Sequence, residues 1–259
     1  SGDDTLSCAS CHGLDKGGTD QQQYSEGIDG QMGGINAPTV FNAGFQIKQF
    51  WDGRAADLFE QAGGPVANPI EMGSNWEQVI SKLEKDTAFV TAFTSVYPGG
   101  LSGDNMQDAI AEFEKSLITP NSKFDKFLRG DAEAMNAEEK AGHALFLDQG
   151  CATCHVGALM GGRSFEKMGR EADYFADRGN LTEADHGLAN FTKDDIDKFK
   201  FKVPTLRNIA LTAPYFHDGS TSDLNDVVMK MAKYQFGNAI SEADAAKITA
   251  FLKAQTGEY

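Results

Sequence analysis

Cysteine is scarce in this 259-residue chain: there are four, and none is spare. They fall in two Cys-x-x-Cys pairs, Cys8 with Cys11 and Cys151 with Cys154, so no thiol is left over for a structural disulfide. No run of apolar residues reaches the roughly 18 needed to cross a bilayer as a helix. No targeting segment opens the sequence, so Ser1 is expected to follow a removed leader. Basic residues are outnumbered, 23 Lys and Arg against 38 Asp and Glu, for a net charge of −15. Such acidity disfavours nucleic acid as a partner and can steer a basic protein, or it serves solubility alone. No stretch alternates as a half-buried strand does, so the class expected is all-α. Histidine is thin as well: five in all, with none between His12 and His143.

What is present centres on Cys151-Ala152-Thr153-Cys154-His155 and its near-copy Cys8-Ala9-Ser10-Cys11-His12. Two thiols one helical turn apart can add to the two vinyl groups of a haem, and the adjacent histidine then faces the iron. A zinc site would need the two pairs to close one tetrahedral shell. Neither zinc nor a dithiol redox pair explains a histidine directly after both pairs. The reading is a dihaem c-type cytochrome, two haem c groups held covalently. Covalent haem and cysteine usage both point outside the cytoplasm. Seven residues precede Cys8, too few for the helix that usually packs beneath such a haem, so an amino-terminal piece is expected to be missing.

Along the chain, residues 13–36 are rich in Gly, Gln and Asp without a period, and read as a loop over the first haem. Ser74 to Glu77 has capping-box spacing ahead of an apolar face of Trp76, Val79, Ile80 and Leu83. Met106, Ala109, Ile110, Phe113 and Leu117 make a second stripe, read as a closing helix for the first half. Thr119-Pro120-Asn121-Ser122 is the linker candidate, dividing the chain into cytochrome c-like domains at 1–120 and 121–259. Asn136 with Glu139 caps a helix leading into Cys151. Ser241 with Asp244 starts a last helix that buries Ile248, Phe251 and Leu252.

One internal repeat carries more information than any single element. Pro38-Thr39-Val40-Phe41-Asn42 recurs as Pro204-Thr205-Leu206-Arg207-Asn208, Phe50-Trp51-Asp52-Gly53 as Phe216-His217-Asp218-Gly219, and Asp57-Leu58 as Asp223-Leu224, each pair 166 residues apart. The haem motifs are 143 apart, so the second half carries 23 extra residues between motif and repeat. The chain reads as a duplication of one haem-binding unit.

The ligand opposite each histidine decides the role of its haem. Methionine there makes an electron carrier, whereas an open face permits chemistry on oxygen species. Met229 and Met231 are candidates in the second half, with core packing as the commoner fate of a helical methionine. Under the repeat Met231 falls on Pro65, which cannot ligate iron. The second haem thus has a candidate sixth ligand and the first has no counterpart.

The two motifs, with Ile35-Asn36-Ala37-Pro38-Thr39, Phe50-Trp51-Asp52-Gly53-Arg54, Asn68-Pro69-Ile70-Glu71-Met72 and Val203-Pro204-Thr205-Leu206-Arg207-Asn208 running into Pro214-Tyr215-Phe216-His217-Asp218-Gly219, resemble the bacterial dihaem cytochrome c peroxidases over nearly the whole chain. The resemblance implies a periplasmic enzyme, dimeric, in which an amino-terminal haem reduces hydrogen peroxide. A carboxy-terminal haem would relay electrons from a small cytochrome or copper protein. It implies Met231 as sixth ligand of the second haem, Glu71 as acid/base residue over the first, Gln61 as its neighbour, and Trp51 between the haems. It also implies a calcium site made by Asn36 with the carbonyls of Thr212 and Pro214. A carboxyl among Pro69, Ile70 and Met72 suits proton transfer, since an apolar setting raises its pKa.

His217, the repeat partner of Trp51, reads as a satisfied structural histidine, and His143 and His186 as surface or core residues. The alternatives are a dihaem shuttle without turnover, which Pro65 and Glu71 disfavour, and a MauG-like oxidase, in which Tyr stands at the place of Met231. Many relatives close the first iron with a loop histidine in the resting state. The matching position here is Ile28, and Met32 is the one soft donor nearby, so the resting enzyme is expected to be competent without reduction.

Overall fold

The computed structural model describes residues 1–259. Helices dominate, as expected. The first half holds a single turn α1 (Cys8–Cys11), then α2 (Leu58–Ala67), α3 (Trp76–Leu83), α4 (Thr87–Val96) and α5 (Gly103–Ser116). The second holds α6 (Lys123–Leu128), α7 (Ala137–Asp148), the short α8 (Tyr174–Arg178) and α9 (Ala189–Thr192), and finally α10 (Leu224–Phe236) and α11 (Glu242–Lys253). Against the all-α expectation, β1 (Phe165–Lys167) and β2 (Lys200–Lys202) pair antiparallel, with Phe165 opposite Lys202. Three residues each are too short for alternation to register. Both strands lie at the ends of the segment that the second half has in excess.

Most of the longer helices begin where a side chain can satisfy an orphan amide, worth about 1 kcal/mol each. Asn136 and Glu139 form the reciprocal capping box of α7, and Ser241 accepts from the Asp244 amide at the start of α11. The cap of α3 is Asn75 and not Ser74: its side chain accepts from the Gln78 amide at 2.8 Å, and Ser74 instead bonds the Gln78 side chain. On α5 the inward residues are Met106 and Ala111, followed by Leu117, while Phe113 is 57% exposed. Ala111 clusters with Ala43 and Leu58 of the facing elements, and that small residue lets α5 sit close to α2.

The larger core belongs to the second half. Phe251, Ile248 and Leu252 of α11 are buried as expected, against Phe146 of α7 and Val228 of α10. Gly142 makes the α7–α11 approach possible, since a Cβ there would lie 1.9 Å from the Lys247 carbonyl. His143 packs edge-on against Phe124 in the same core.

The same local backbone recurs at the 166-residue offset. Asn42 and Asn208 have φ of 60° and 64°, Phe50 and Phe216 of 65° and 68°. The bridge Gln49–Ala55 matches Tyr215–Thr221, and Asp57 and Asp223 cap α2 and α10.

The segment read as a linker is anchored at both ends. Thr119 and Ser122 are 3% and 1% exposed, and Arg207 bonds the Thr119 carbonyl while gripping Asp125 with two bonds. Residues 13–36 likewise do more than cover one site. Gln21 and Gln23 reach the carbonyls of Leu211 and Asp218, and the Asn36 amide bonds the His217 carbonyl at 2.8 Å. The two halves are therefore stitched from both directions.

Candidate active site

In the first motif the Ser7 amide donates to the Ser10 hydroxyl and the Ser10 amide to the Ser7 carbonyl, and a single helical turn sets Cys8 and Cys11 one turn apart. The chain then turns, with the His12 amide on the Cys8 carbonyl, and His12 Nδ1 lies 3.2 Å from the Gly18 carbonyl. In the second, Gly150 at φ 80° starts a 3-10 turn over Cys151–Thr153, and His155 Nδ1 lies 3.0 Å from the Met160 carbonyl. A carbonyl only accepts, so Nδ1 carries the hydrogen in both rings and each Nε2 keeps its lone pair. Burial holds both imidazoles below their ordinary pKa, hence neutral.

The Cys151 thiol is pushed up to about 11 by burial, the opposite of what a redox dithiol or a thiolate zinc ligand needs. No cluster of three or more His, Cys, Asp or Glu is arranged to hold a metal ion, so the two pairs do not converge on one shell.

Covalent haem fits instead. Cys151, Cys154 and His155 open onto a large cavity walled by Phe146, Val203, Leu206 and Ile248 and, from α10, Val227, Val228 and Met231. Met229 does not line it: it packs into the main core, and its sulfur lies 4.0 Å from the Asn225 amide nitrogen. Of the two candidate methionines, only Met231 shares a cavity with His155.

The repeat relates this wall to the first half. Val227 and Met231 correspond to Gln61 and Pro65 of α2, 166 residues earlier. Gln61 and Pro65 are one turn apart, so they share a face of α2. Both are half-buried, and Pro65 offers no donor atom.

Glu71 follows α2 in a tight turn, its amide on the Asn68 carbonyl at 3.1 Å. Burial pushes its carboxyl up, opposed by Arg54 and Asn68. Burial raises the Cys11 thiol, with the charges of Asp20 and Glu71 adding to it. Arg54 is braced by two bonds to Asp52 at 3.0 and 3.1 Å.

The loop before it lies against this turn: the Ile28 amide bonds the Glu71 carbonyl at 2.8 Å and the Gln31 side chain bonds the Pro69 carbonyl. A Cβ on Gly27 would meet the Ile70 carbonyl at 1.9 Å. Ile28 packs on Gly73, and Met32 is 57% exposed.

Trp51 lines the second cavity from the first half, its indole N–H donating to the Asn36 carbonyl at 2.9 Å. Asn36, Thr212 and Pro214 line the same cavity. The Asn36 side-chain oxygen and the carbonyls of Thr212 and Pro214 accept no hydrogen bond from the chain, so three hard oxygen donors are unspent there.

Sequence reading did not find the buried network beyond Trp51. His217 Nε2 lies 2.7 Å from Asp185, and Arg178 bridges Asp185 and Asp218, both at 2.6 Å. Arg178 and His217 hold Asp185 well below the usual carboxylate range despite its burial. Tyr174, Arg178 and Asp185 come from the extra segment, which has no repeat partner to reveal it. Lys202 was also missed.

Residues 1–133 match the family described as di-haem cytochrome c peroxidase. The chain is 54% identical to cytochrome c peroxidase Ccp of Escherichia coli (strain K12) over 100% of its own length and 56% of that protein's. It is 44% identical to cytochrome c551 peroxidase of Nitrosomonas europaea, covering 98% of this chain and 75% of that one. The chain thus spans little more than half the Escherichia coli relative and three quarters of the other. A crystal structure of a MauG-like protein associated with microbial copper homeostasis superposes with a TM-score of 0.87 at 28% identity, covering 100% of this chain and 85% of that one.

Proposed function

The chain belongs to the di-haem cytochrome c peroxidase family, and on that premise we propose that it reduces hydrogen peroxide to water with electrons from a small c-type cytochrome or copper protein in the periplasm. No helix is long and apolar enough to cross a membrane. The observation that carries the reading is the asymmetry of α2 and α10. Two motifs fix their histidines alike, whereas Pro65 stands where the other half has Met231.

In this reading residues 1–120 and 121–259 are two cytochrome c-like domains, each holding one haem c and related by duplication. Bound haem supplies two redox-active irons, one for the peroxide bond and one for electron relay. His12 and His155 would hold them through Nε2, Cys8, Cys11, Cys151 and Cys154 would carry the thioethers, and Met231 would offer a sulfur donor to the second.

Glu71 takes a proton from the near oxygen of peroxide and returns it to the leaving oxygen, which a raised carboxyl pKa favours. Gln61 borders that face as a polar neighbour. Trp51 sits in the seam between the halves and carries electron density across it. Asn36, Thr212 and Pro214 hold calcium through oxygen, tying domain orientation to the ion. The enzyme works as a homodimer.

The test is peroxide-dependent oxidation of a reduced small cytochrome c by the holoprotein. Stoichiometric turnover of two cytochromes per peroxide supports the reading; electron exchange without peroxide consumption makes the protein a shuttle instead.

A further inference from the structure

Lys202 ends β2 and is 5% exposed, yet it is a lysine. Its backbone amide bonds the Trp51 carbonyl at 2.9 Å, so it stands at the seam, and it lines the same cavity as Cys151, Cys154 and His155. Its ammonium donates to the Gln46 side-chain oxygen and to no other acceptor. An ammonium has three N–H donors and no acceptor, so two are unspent. Asp52 attracts it without contact and is already gripped by Arg54. Burial lowers Lys202 to about 8.

Removing such a cation from water costs several kcal/mol unless an anion meets it. No carboxylate of the chain is in contact with it. The other charged or titratable groups on this cavity wall are Glu166, Arg170, His155, His217, Tyr215 and the thiols of Cys151 and Cys154, and Glu166 is half-buried without a bond to Lys202. Arg170 is exposed, His217 is bound to Asp185, and His155 is turned to the Met160 carbonyl.

We propose that Lys202 is the carboxylate-binding cation of the second cavity: its free N–H donors receive a carboxylate of the haem held at Cys151 and Cys154, and its charge raises that haem's electron affinity. The inference rests on the dihaem reading above. Haem brings two carboxylates, on the edge away from its vinyl groups, and the vinyl edge is the one fixed by the cysteines. A nearby positive charge favours the ferrous state over the ferric by simple Coulomb attraction. Deprotonating Lys202 removes that charge, so the potential falls as pH rises through its pKa. A carboxylate partner raises that pKa from the value burial sets, so the break lies above pH 8.

The experiment is a spectroscopic redox titration of the holoprotein from pH 7 to pH 10, with haem content measured in every sample. Wild type shows the second haem's potential falling above pH 8. Lys202→Met shows a lower potential at pH 7 with no break, and Lys202→Arg keeps the high potential throughout. The break has the same size in phosphate and in phosphate-free buffer.

A Lys202→Met protein with the wild-type potential and break overturns the inference, as does a wild-type break in Lys202→Arg or a break seen only in phosphate. A holoprotein with no haem at Cys151 and Cys154 overturns the dihaem reading itself, and this inference with it.

Discussion

Asn42 and Asn208, 166 residues apart, both donate their side-chain amides to the hydroxyl of Thr119, each at 2.9 Å. Equivalent residues of the two repeats thus meet on one residue of the connecting segment, and the Thr119 amide returns a bond to Asn42 at 3.0 Å. All three residues are buried, so no water replaces these partners. The connection is a clamp rather than a tether.

Thr119→Val keeps the shape and removes the shared acceptor. Two buried amides lose their partner at about 1–3 kcal/mol each, so unfolding free energy falls by about 2–6 kcal/mol. Denaturant titration checks this, and a loss below about 0.5 kcal/mol contradicts the clamp.

How much of this was legible in the sequence depends on the interaction. Asn136 with Glu139 and Ser241 with Asp244 were readable because a cap is local, three residues wide. The repeat was readable because both copies keep the residues that adopt left-handed backbone, Asn42 with Asn208 and Gly53 with Gly219. Thr119 read as a linker because Pro and Asn beside it signal a turn, while its partners lie 77 and 89 residues away. Phe113 read as core because periodicity weights bulk, whereas α5 packs through small Ala111. Arg178 and Asp185 belong to the segment without a repeat copy, whereas Lys202 falls on Asn36 in the repeat, a polar residue that does not announce a buried cation, and its side-chain partner Gln46 is brought by tertiary folding.

Met231→His should lower the potential of the second haem, because nitrogen ligation favours ferric iron. Met229→Leu should leave it where it is, since Met229 is turned into the core. Redox titration of the two variants decides between them; a shift in Met229→Leu alone exchanges their roles.

Glu71→Gln should cost on the order of 10² to 10⁴ in turnover with both haems loaded. The base must be ionised to accept a proton, and burial raises its pKa. Wild-type turnover therefore falls with acid along a limb above the ordinary glutamate value of about 4.3, and that limb is absent from Glu71→Gln. Near-normal turnover by the variant contradicts the role.

Glu114 supplies a pH test of stability. Burial pushes its carboxyl up to about 7, above the unfolded value. A raised carboxyl pKa means the folded state holds the proton more tightly, so stability present at pH 4 is lost as pH rises through 7. Glu114→Gln should be more stable than wild type by about 1–3 kcal/mol at pH 8 and equal to it near pH 4. Parallel unfolding curves at the two pH values check the sign.

The central claim is that the first haem keeps a face free of protein ligands while the second does not. Residue 28, where the resemblance places a closing histidine, is Ile, Met32 is exposed, and Pro65 stands at the repeat position of Met231. No conformational shift need precede peroxide binding, so no activation step is expected. The direct measurement is to mix the all-ferric holoprotein with cyanide or peroxide, without reductant, and follow the haem spectrum. The account predicts an immediate change from a first haem that is five-coordinate or water-bound. Two low-spin six-coordinate ferric haems, silent to cyanide until one electron is added, would contradict it.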